Sequence, residues 1–322
     1  MKCLRARDQR ATSDVINSDI SDCANQELIR YNGHADSDTR CFQPQNTAYI
    51  ILNTCLKMII RALLFFLYIN LLSGCSTSNT IPIPEISESV LPPAGGIPTI
   101  ISKPPGPGPF PAVVLLHGCG GINRYSLDVL TGYAKHFNSL GYVTAIPDSF
   151  SPRTQRDVCA DTSIVSALDR TEDAFSVLRY LIGAGYVIPS EVAVLGQSHG
   201  AGTVLTIAEK PQYRLGEEFA GGIALYPRCP DGPNPTRIPL LVLIGGRDSW
   251  TPAPRCDLYT ERLKKAGRSI EYHVYQEAAH SYDMPGNSRI EHGHLLGWDG
   301  EAALDTAERI DLFLRAVFLQ KQ

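Results

Sequence analysis

The stretch Val192-Ala-Val-Leu-Gly-Gln-Ser-His-Gly-Ala-Gly202 decides the fold. Its first four residues are apolar and partly β-branched, and read as a short buried strand. Gly196-Gln-Ser-His-Gly200 follows, a G-x-S-x-G pattern, and Thr203 to Ala208 can run on as a helix. A strand that turns this sharply into a helix holds its serine in a strained conformation above the sheet edge. The flanking glycines have no Cβ to clash in such a turn. The helix also points backbone N–H groups at any negative charge forming beside Ser198. Ser198 therefore reads as a nucleophile. The competing reading is a Gly-rich βα turn whose serine caps the helix.

A serine hydroxyl is a weak nucleophile near neutral pH. It needs an adjacent base, and the base needs an orienting group. In folds of this kind the partners follow in the order serine, acid, histidine, on loops after later strands. Leu240 to Ile244 runs into Gly245-Gly-Arg-Asp248, so Asp248 stands just past a strand end. Ile270 to Tyr275 runs into Gln276-Glu-Ala-Ala-His280, so His280 stands in the loop after the last strand. Such loops gather at the carboxyl edge of an open parallel sheet. Asp257 and Asp283 are the other candidate acids, but neither directly follows a buried strand. His273 falls inside a strand pattern and reads as packed or surface-facing. His292 and His294 lie in a Gly-flanked loop, as pocket lining or as plain solvated residues. Ser198, Asp248 and His280 are the expected triad. An oxyanion needs donors fixed before reaction. The backbone N–H of His199 is one candidate. That of Cys119, in the loop after the Ala112–Leu116 strand, is the second. Gly118, Gly120 and Gly121 let that loop approach a substrate, although a plain Gly-rich βα turn would look the same. His117 reads as structural.

From Ala112 onward the rhythm is βαβα. Strands are expected at 112–116, 142–146, 221–226, 239–244 and 270–275. An early strand at Ile97–Ile101 would be confined to a sheet edge by Pro98, and Pro104 to Pro111 reads as a rigid turn region. Helices are expected over Leu127–Leu140, Ser163–Ile182, Asp257–Lys265 and Ala302–Leu319. In the second of these, Ile164, Leu168, Phe175, Leu178 and Ile182 share a face. Strands alternating with helices imply an α/β fold, with a mostly parallel sheet covered by helices on both faces.

Taken together, these motifs resemble the dienelactone hydrolase family of α/β-hydrolases. The resemblance rests on Pro111-Ala-Val-Val-Leu-Leu-His-Gly-Cys-Gly-Gly121, Gly196-Gln-Ser-His-Gly200, Gly245-Gly-Arg-Asp248 and Ala279-His280. Pro147-Asp-Ser-Phe150 with Pro152-Arg153 also resembles exported members. The similarity covers roughly residues 90–320. It implies an α/β-hydrolase fold and a serine hydrolase acting on carboxylic esters or lactones through an acyl-enzyme. The namesake enzymes use a cysteine nucleophile. Ser198 departs from that pattern and points towards a general serine esterase. The same scaffold could also serve a peptidase, an acyl-transferase or a non-catalytic envelope binding lipoprotein.

The rest of the chain bears on where the protein acts. With 322 residues, 43% apolar and 19% charged, it is ordinary for a globular protein. A net charge of −4 and the lack of a basic cluster give no case for nucleic-acid binding. Residues 1–57 are polar and aperiodic, and read as disordered or as an upstream extension ahead of a true start at Met58. Residues 58–74 have the layout of a secretory signal: a basic start at Met58 to Arg61, an apolar run to Leu72, then small residues. Leu72-Ser-Gly-Cys75 resembles the lipobox of bacterial lipoproteins. That resemblance implies lipidation at Cys75, a membrane anchor and an exported, periplasmic-side location. Residues 75–96, rich in Ser, Thr and Pro, suit an extended tether, with the hydrolase domain at 97–322. None of the nine cysteines shows zinc-ligand spacing, and no metal or cofactor is expected. Cys119, Cys159, Cys229 and Cys256 fall in the domain. An oxidising envelope favours disulfides. The pairs 119–159 and 229–256 are preferred among three connectivities, with four buried thiols as the alternative.

Overall fold

The computed structural model describes residues 89–91, 96–209, 216–232 and 236–319, all within the compact unit Thr80–Gln322. The expectations for 1–57, for the signal at 58–74, for Cys75 and for most of the tether lie outside the described residues.

Ten strands and five helices carry the fold among the described residues. The strands are β1 (Ser89–Leu91), β2 (Thr99–Ser102), β3 (Phe110–Leu116), β4 (Val143–Pro147), β5 (Val187–Gln197), β6 (Gly222–Leu225), β7 (Leu240–Gly245), β8 (Ile270–Tyr275), β9 (Arg289–Glu291) and β10 (His294–Leu296). The helices are α1 (Arg124–Ser139), α2 (Ala167–Gly183), α3 (His199–Glu209), α4 (Ala253–Lys265) and α5 (Gly300–Leu319). The main sheet has eight strands in the order β1-β2-β4-β3-β5-β6-β7-β8. Pairing is parallel from β4 through β8, while β1 and β2 join antiparallel.

The topology locates the site. The chain steps from β3 outward to β4, then doubles back past β3 to β5, and from there continues in one direction. Right-handed crossovers put α1 on one face and α2, α3 and α4 on the other. Helix α5 returns to the α1 side, where His136 pairs with Asp311 at 2.9 Å and Tyr142 meets Phe318 edge-on. Neighbouring strands β3 and β5 thus send their following helices to opposite faces. The crevice at their carboxyl ends is the switch point where open α/β sheets bind ligands.

Burial explains the strands. Ala112 to Leu116 on β3, Val192 to Leu195 on β5 and Leu240 to Ile244 on β7 are all buried, as expected of parallel strands covered on both faces. Several expectations need correction. Strand β5 starts five residues before Val192. The early strand that Pro98 was expected to confine to an edge is an inner one: β2 lies between β1 and β4, and Pro98 precedes it. Ser89–Leu91, read as tether, is a strand. Pro111, read as turn, lies within β3. Helix α2 starts at Ala167, because the Ser166 hydroxyl accepts from the Asp169 N–H and the Asp169 carboxylate accepts from the Ser166 N–H. This capping box leaves Ile164 outside the helix and exposed. The buried stripe of α2 runs through Thr171, Ala174, Phe175, Leu178 and Leu181. Helix α1 opens at Asn123 with a similar reciprocal cap. The Gly-flanked loop holding His292 and His294 is a β9–β10 hairpin, with His292 and Gly293 at positive φ in the turn. No helix among the described residues is long and apolar enough to cross a membrane.

Candidate active site

Ser198 sits between β5 and α3 with φ of 52°, the left-handed region that costs an L-residue energy. Its flanking glycines serve clearance. A Cβ at Gly196 would lie 2.2 Å from the Gly200 carbonyl oxygen, and one at Gly200 would lie 2.3 Å from that of Leu116. The two glycines let the turn fold onto itself and onto the end of β3. Gly200→Ala is expected to cost about 3 kcal/mol, a fall of about 6–12 °C in Tm, measurable by calorimetry.

Asp248 and His280 come to the same rim from the loops after β7 and β8. Ser198 Oγ lies 3.0 Å from His280 Nε2, and His280 Nδ1 lies 2.7 Å from Asp248 Oδ2. Both partners are buried, while Ser198 is half-buried. The Asp248 carboxylate is fixed from its other side. Oδ1 accepts from the N–H groups of Trp250 (2.9 Å) and Thr251 (2.8 Å), and the Thr251 hydroxyl lies 2.8 Å from Oδ2. Close approach shapes these loops too: a Cβ at Gly245 would meet the Ala278 carbonyl oxygen at 2.3 Å. The His280 ring packs between Tyr226 (centroids 4.8 Å apart) and Trp250 (5.2 Å). His294, considered as a pocket residue, stacks on the same Trp250, and His292 lies beside it. Asp257 is exposed and accepts from the Tyr272 hydroxyl. His273 is half-buried on β8 against Tyr275.

Cys119 and His199 flank Ser198. Cys119 lies in the loop after β3 and His199 opens α3. Among the described residues, neither backbone N–H donates to a carbonyl or side chain. Cys119 is bonded to Cys159, and Cys229 to Cys256, the two preferred pairings. The first bridge fastens the Cys119 loop to the segment before α2, where the Val158 N–H also donates to the Cys119 carbonyl at 2.9 Å.

Two buried ionisable residues stand beside the site, one not considered in the sequence and one set aside there. Arg170 on α2 is fully buried. It donates to the His117 carbonyl at 2.7 Å and to His199 Nδ1 at 3.2 Å, and it lies over the Phe150 ring. Burial and the guanidinium together push the His199 imidazole down to about 3, so that ring stays neutral with its proton on Nε2. Burial, with the nearby Arg153 guanidinium and against the pull of Asp173 and Asp148, brings Arg170 down to about 9. His117 is buried against Phe150, in keeping with a structural role. One guanidinium thus ties both backbone segments flanking Ser198. Arg170→Met is expected to lower kcat by about 10-fold or more with KM little changed. Steady-state kinetics checks this, with partial recovery in Arg170→Lys.

The second is Asp283, set aside as a candidate acid because no buried strand precedes it. It is buried and accepts from Tyr133 (2.9 Å), Gln197 (2.7 Å) and Tyr226 (2.7 Å). Burial raises its carboxyl above the usual range, against these three bonds, which lower it.

The pocket above Ser198 encloses about 170 Å³, with Cys119, Tyr226, Trp250, His280 and Met284 among its walls. As for metals, the nearest cluster among the described residues is Asp157, Cys159 and His292. The Cys159 sulfur is committed to its disulfide, which leaves two exposed groups.

Comparison with known proteins agrees with this architecture. Residues 97–318 match the dienelactone hydrolase family. A Bradyrhizobium protein named "Probable 2-oxo-3-(5-oxofuran-2-ylidene)propanoate lactonase" is 26% identical over 195 residues, 56% of this chain and 77% of the relative. The solved structure of a Thermogutta terrifontis esterase, Est2 with butyrate bound, superposes with a TM-score of 0.55 at 19% identity, covering 73% of this chain and 95% of that one. With the family matched across the whole parallel sheet and every loop at its rim, this chain belongs to the dienelactone hydrolase family, as a carboxylic ester hydrolase of α/β-hydrolase fold.

Proposed function

We propose that the protein is a serine hydrolase that cleaves carboxylic esters or lactones through an acyl-enzyme. The observation that carries this reading is the hydrogen-bonded run from Ser198 Oγ through His280 to Asp248, ending at a serine held at positive φ. Ser198 attacks the ester carbonyl carbon while its proton passes to His280 Nε2. Asp248 accepts from Nδ1–H, which keeps the imidazole in the tautomer whose Nε2 is free, and stabilises the imidazolium that forms. The N–H groups of Cys119 and His199 hold the tetrahedral oxyanion. The carbonyl re-forms as the alcohol leaves with the His280 proton. Water then attacks the acyl-enzyme by the same route in reverse order of partners, releasing the acid and restoring Ser198. A lactone follows the same steps, its alcohol remaining tethered to the acyl group. The names of the Bradyrhizobium lactonase and the Thermogutta esterase support both substrate classes.

The test is a fluorophosphonate probe followed by peptide mapping. Labelling at Ser198, with hydrolysis of short p-nitrophenyl esters or lactones, is the expected result. Folded protein that takes no label would favour a non-catalytic binding module. Preference for peptides or acceptor alcohols would favour a peptidase or transferase.

The proposal extends to place. The signal-like run at 58–74, the Leu72-Ser-Gly-Cys75 motif and two disulfides in the domain support export, with lipidation at Cys75. Mass spectrometry of the native amino terminus tests it. A diacylglyceryl cysteine at position 75 is expected, and an intact peptide from residues 1–55 in the mature protein would refute it.

A further inference from the structure

A second cavity opens beside the catalytic pocket, between α1, α5 and the loop that follows His280. It encloses about 430 Å³ against about 170 Å³ above Ser198. Tyr125, Met284 and Arg289 line both, so the two adjoin. The larger space is walled mostly by apolar groups, among them Val129, Pro285, Trp298 and Leu304. Trp298 and Leu304 are 44% and 75% exposed, a large apolar surface to leave in water.

We propose that this groove binds the apolar alcohol portion of the ester, so that preferred substrates carry a long or ring-bearing alcohol. The inference rests on Ser198 being the nucleophile. Two observations set its direction. Met284, a few residues past His280, and Arg289, which opens β9, belong to the shared wall, so the groove adjoins the pocket where the chain leaves His280. The histidine must deliver its proton to the leaving alcohol oxygen, so that oxygen and its substituent lie on this side. Size sets the chemistry. An apolar cavity of about 150 Å³ holds one benzene-sized ligand. The space above Ser198 has room for little more. A further space of about 570 Å³ opens beside Ser198 on the His199 side, but Asp161, Thr162, Ser163 and Arg228 give it a strongly polar wall, so the groove is the apolar space that suits a fused ring or a chain of medium length.

Gly132 supplies the test. It lies on α1 in the groove wall, and a Cβ there meets nothing within 4 Å. A larger side chain fills the groove while replacing the poorest helix former short of proline. Gly132→Phe is expected to lower the ratio of kcat/KM for octyl acetate over ethyl acetate at least tenfold. Binding is read separately in Ser198→Ala protein with Trp250→Phe, which leaves Trp298 as the reporter. Saturable quenching of its fluorescence by 8-bromo-1-octanol is expected, weakened at least tenfold by Gly132→Phe. An unchanged ratio with unchanged quenching in folded Gly132→Phe overturns the proposal. So does a groove closed by a second copy of the chain, seen as self-association that Gly132→Phe abolishes while the ratio stays put. Quenching in a protein that cleaves no ester would sink the nucleophile reading and leave the groove as a binding site. Ester cleavage with no chain preference and no quenching would sink the groove alone.

Discussion

Ser198→Ala is expected to lower kcat by about 10³–10⁶-fold while the fold survives, and to abolish fluorophosphonate labelling. The size follows from what is removed. In the proposed mechanism the hydroxyl is the attacking group, and its base and orienting carboxylate have no other function there once it is gone. What remains is the pocket and the backbone donors, which still give some acceleration over water. The fold survives because the turn is held by other contacts. The Ser198 N–H donates to the Leu225 carbonyl at 3.0 Å, and the Ser198 carbonyl accepts from Gly202 at 3.0 Å. Neither needs the side chain. Alanine tolerates positive φ no better than serine, so the strain is unchanged. Circular dichroism beside single-turnover kinetics checks both halves. Near-normal turnover by folded variant would remove Ser198 from the mechanism.

The second large effect is expected at Asp248→Asn, a fall in kcat of about 10³–10⁴-fold with little loss of stability. The direction can be derived from the bonds. Oδ1 accepts two backbone N–H groups, so an asparagine must put its oxygen there. Its NH₂ then faces His280 Nδ1 across the 2.7 Å contact. A donor at that position forces Nδ1 to accept and moves the imidazole proton to Nε2. The proton then points at Ser198, and the base can no longer take one from it. Asp248→Asn would still bind ester, so the loss should fall on kcat and leave KM nearly unchanged. Asp248→Ala, which imposes no tautomer, is expected to lose less at high pH.

How much of this was readable in the chain depends on how local the cause is. Ser198 and Asp248 each follow a buried apolar run, His280 follows the alternating, half-buried β8, and the order of the three matches that of the fold. Strand ends were visible because β5, β7 and β8 carry unbroken apolar or alternating patterns. The parallel sheet was legible for the same reason. Arg170 was not, because a lone arginine in an amphipathic helix looks like every surface arginine. Its burial depends on α2 crossing beneath the β3 and β5 ends, a tertiary fact. Asp283 was weighed and set aside on a sound local rule. Its three donors come from α1, β5 and the residue after β6, and no window of sequence holds them together. The start of α2 was misplaced because apolar spacing outweighed the Ser166–Asp169 cap, a local signal that was there to be used. The hairpin at His292–Gly293 was missed because its strands are only three residues each.

Asp283 makes heat tolerance and turnover rivals. Its folded-state pKa is raised, so the native protein holds that proton more tightly than the unfolded chain does. By linkage the group lowers stability at neutral pH, and the penalty lifts as pH falls through the raised value. A hydrocarbon of similar bulk, with Tyr133 and Tyr226 trimmed to phenylalanine, would relieve it. Yet the same carboxylate anchors Gln197, which precedes Ser198, and Tyr226, which packs on the His280 ring. The group whose ionisation works against the folded state is thus also the tie on which α1, β5 and the residue after β6 converge.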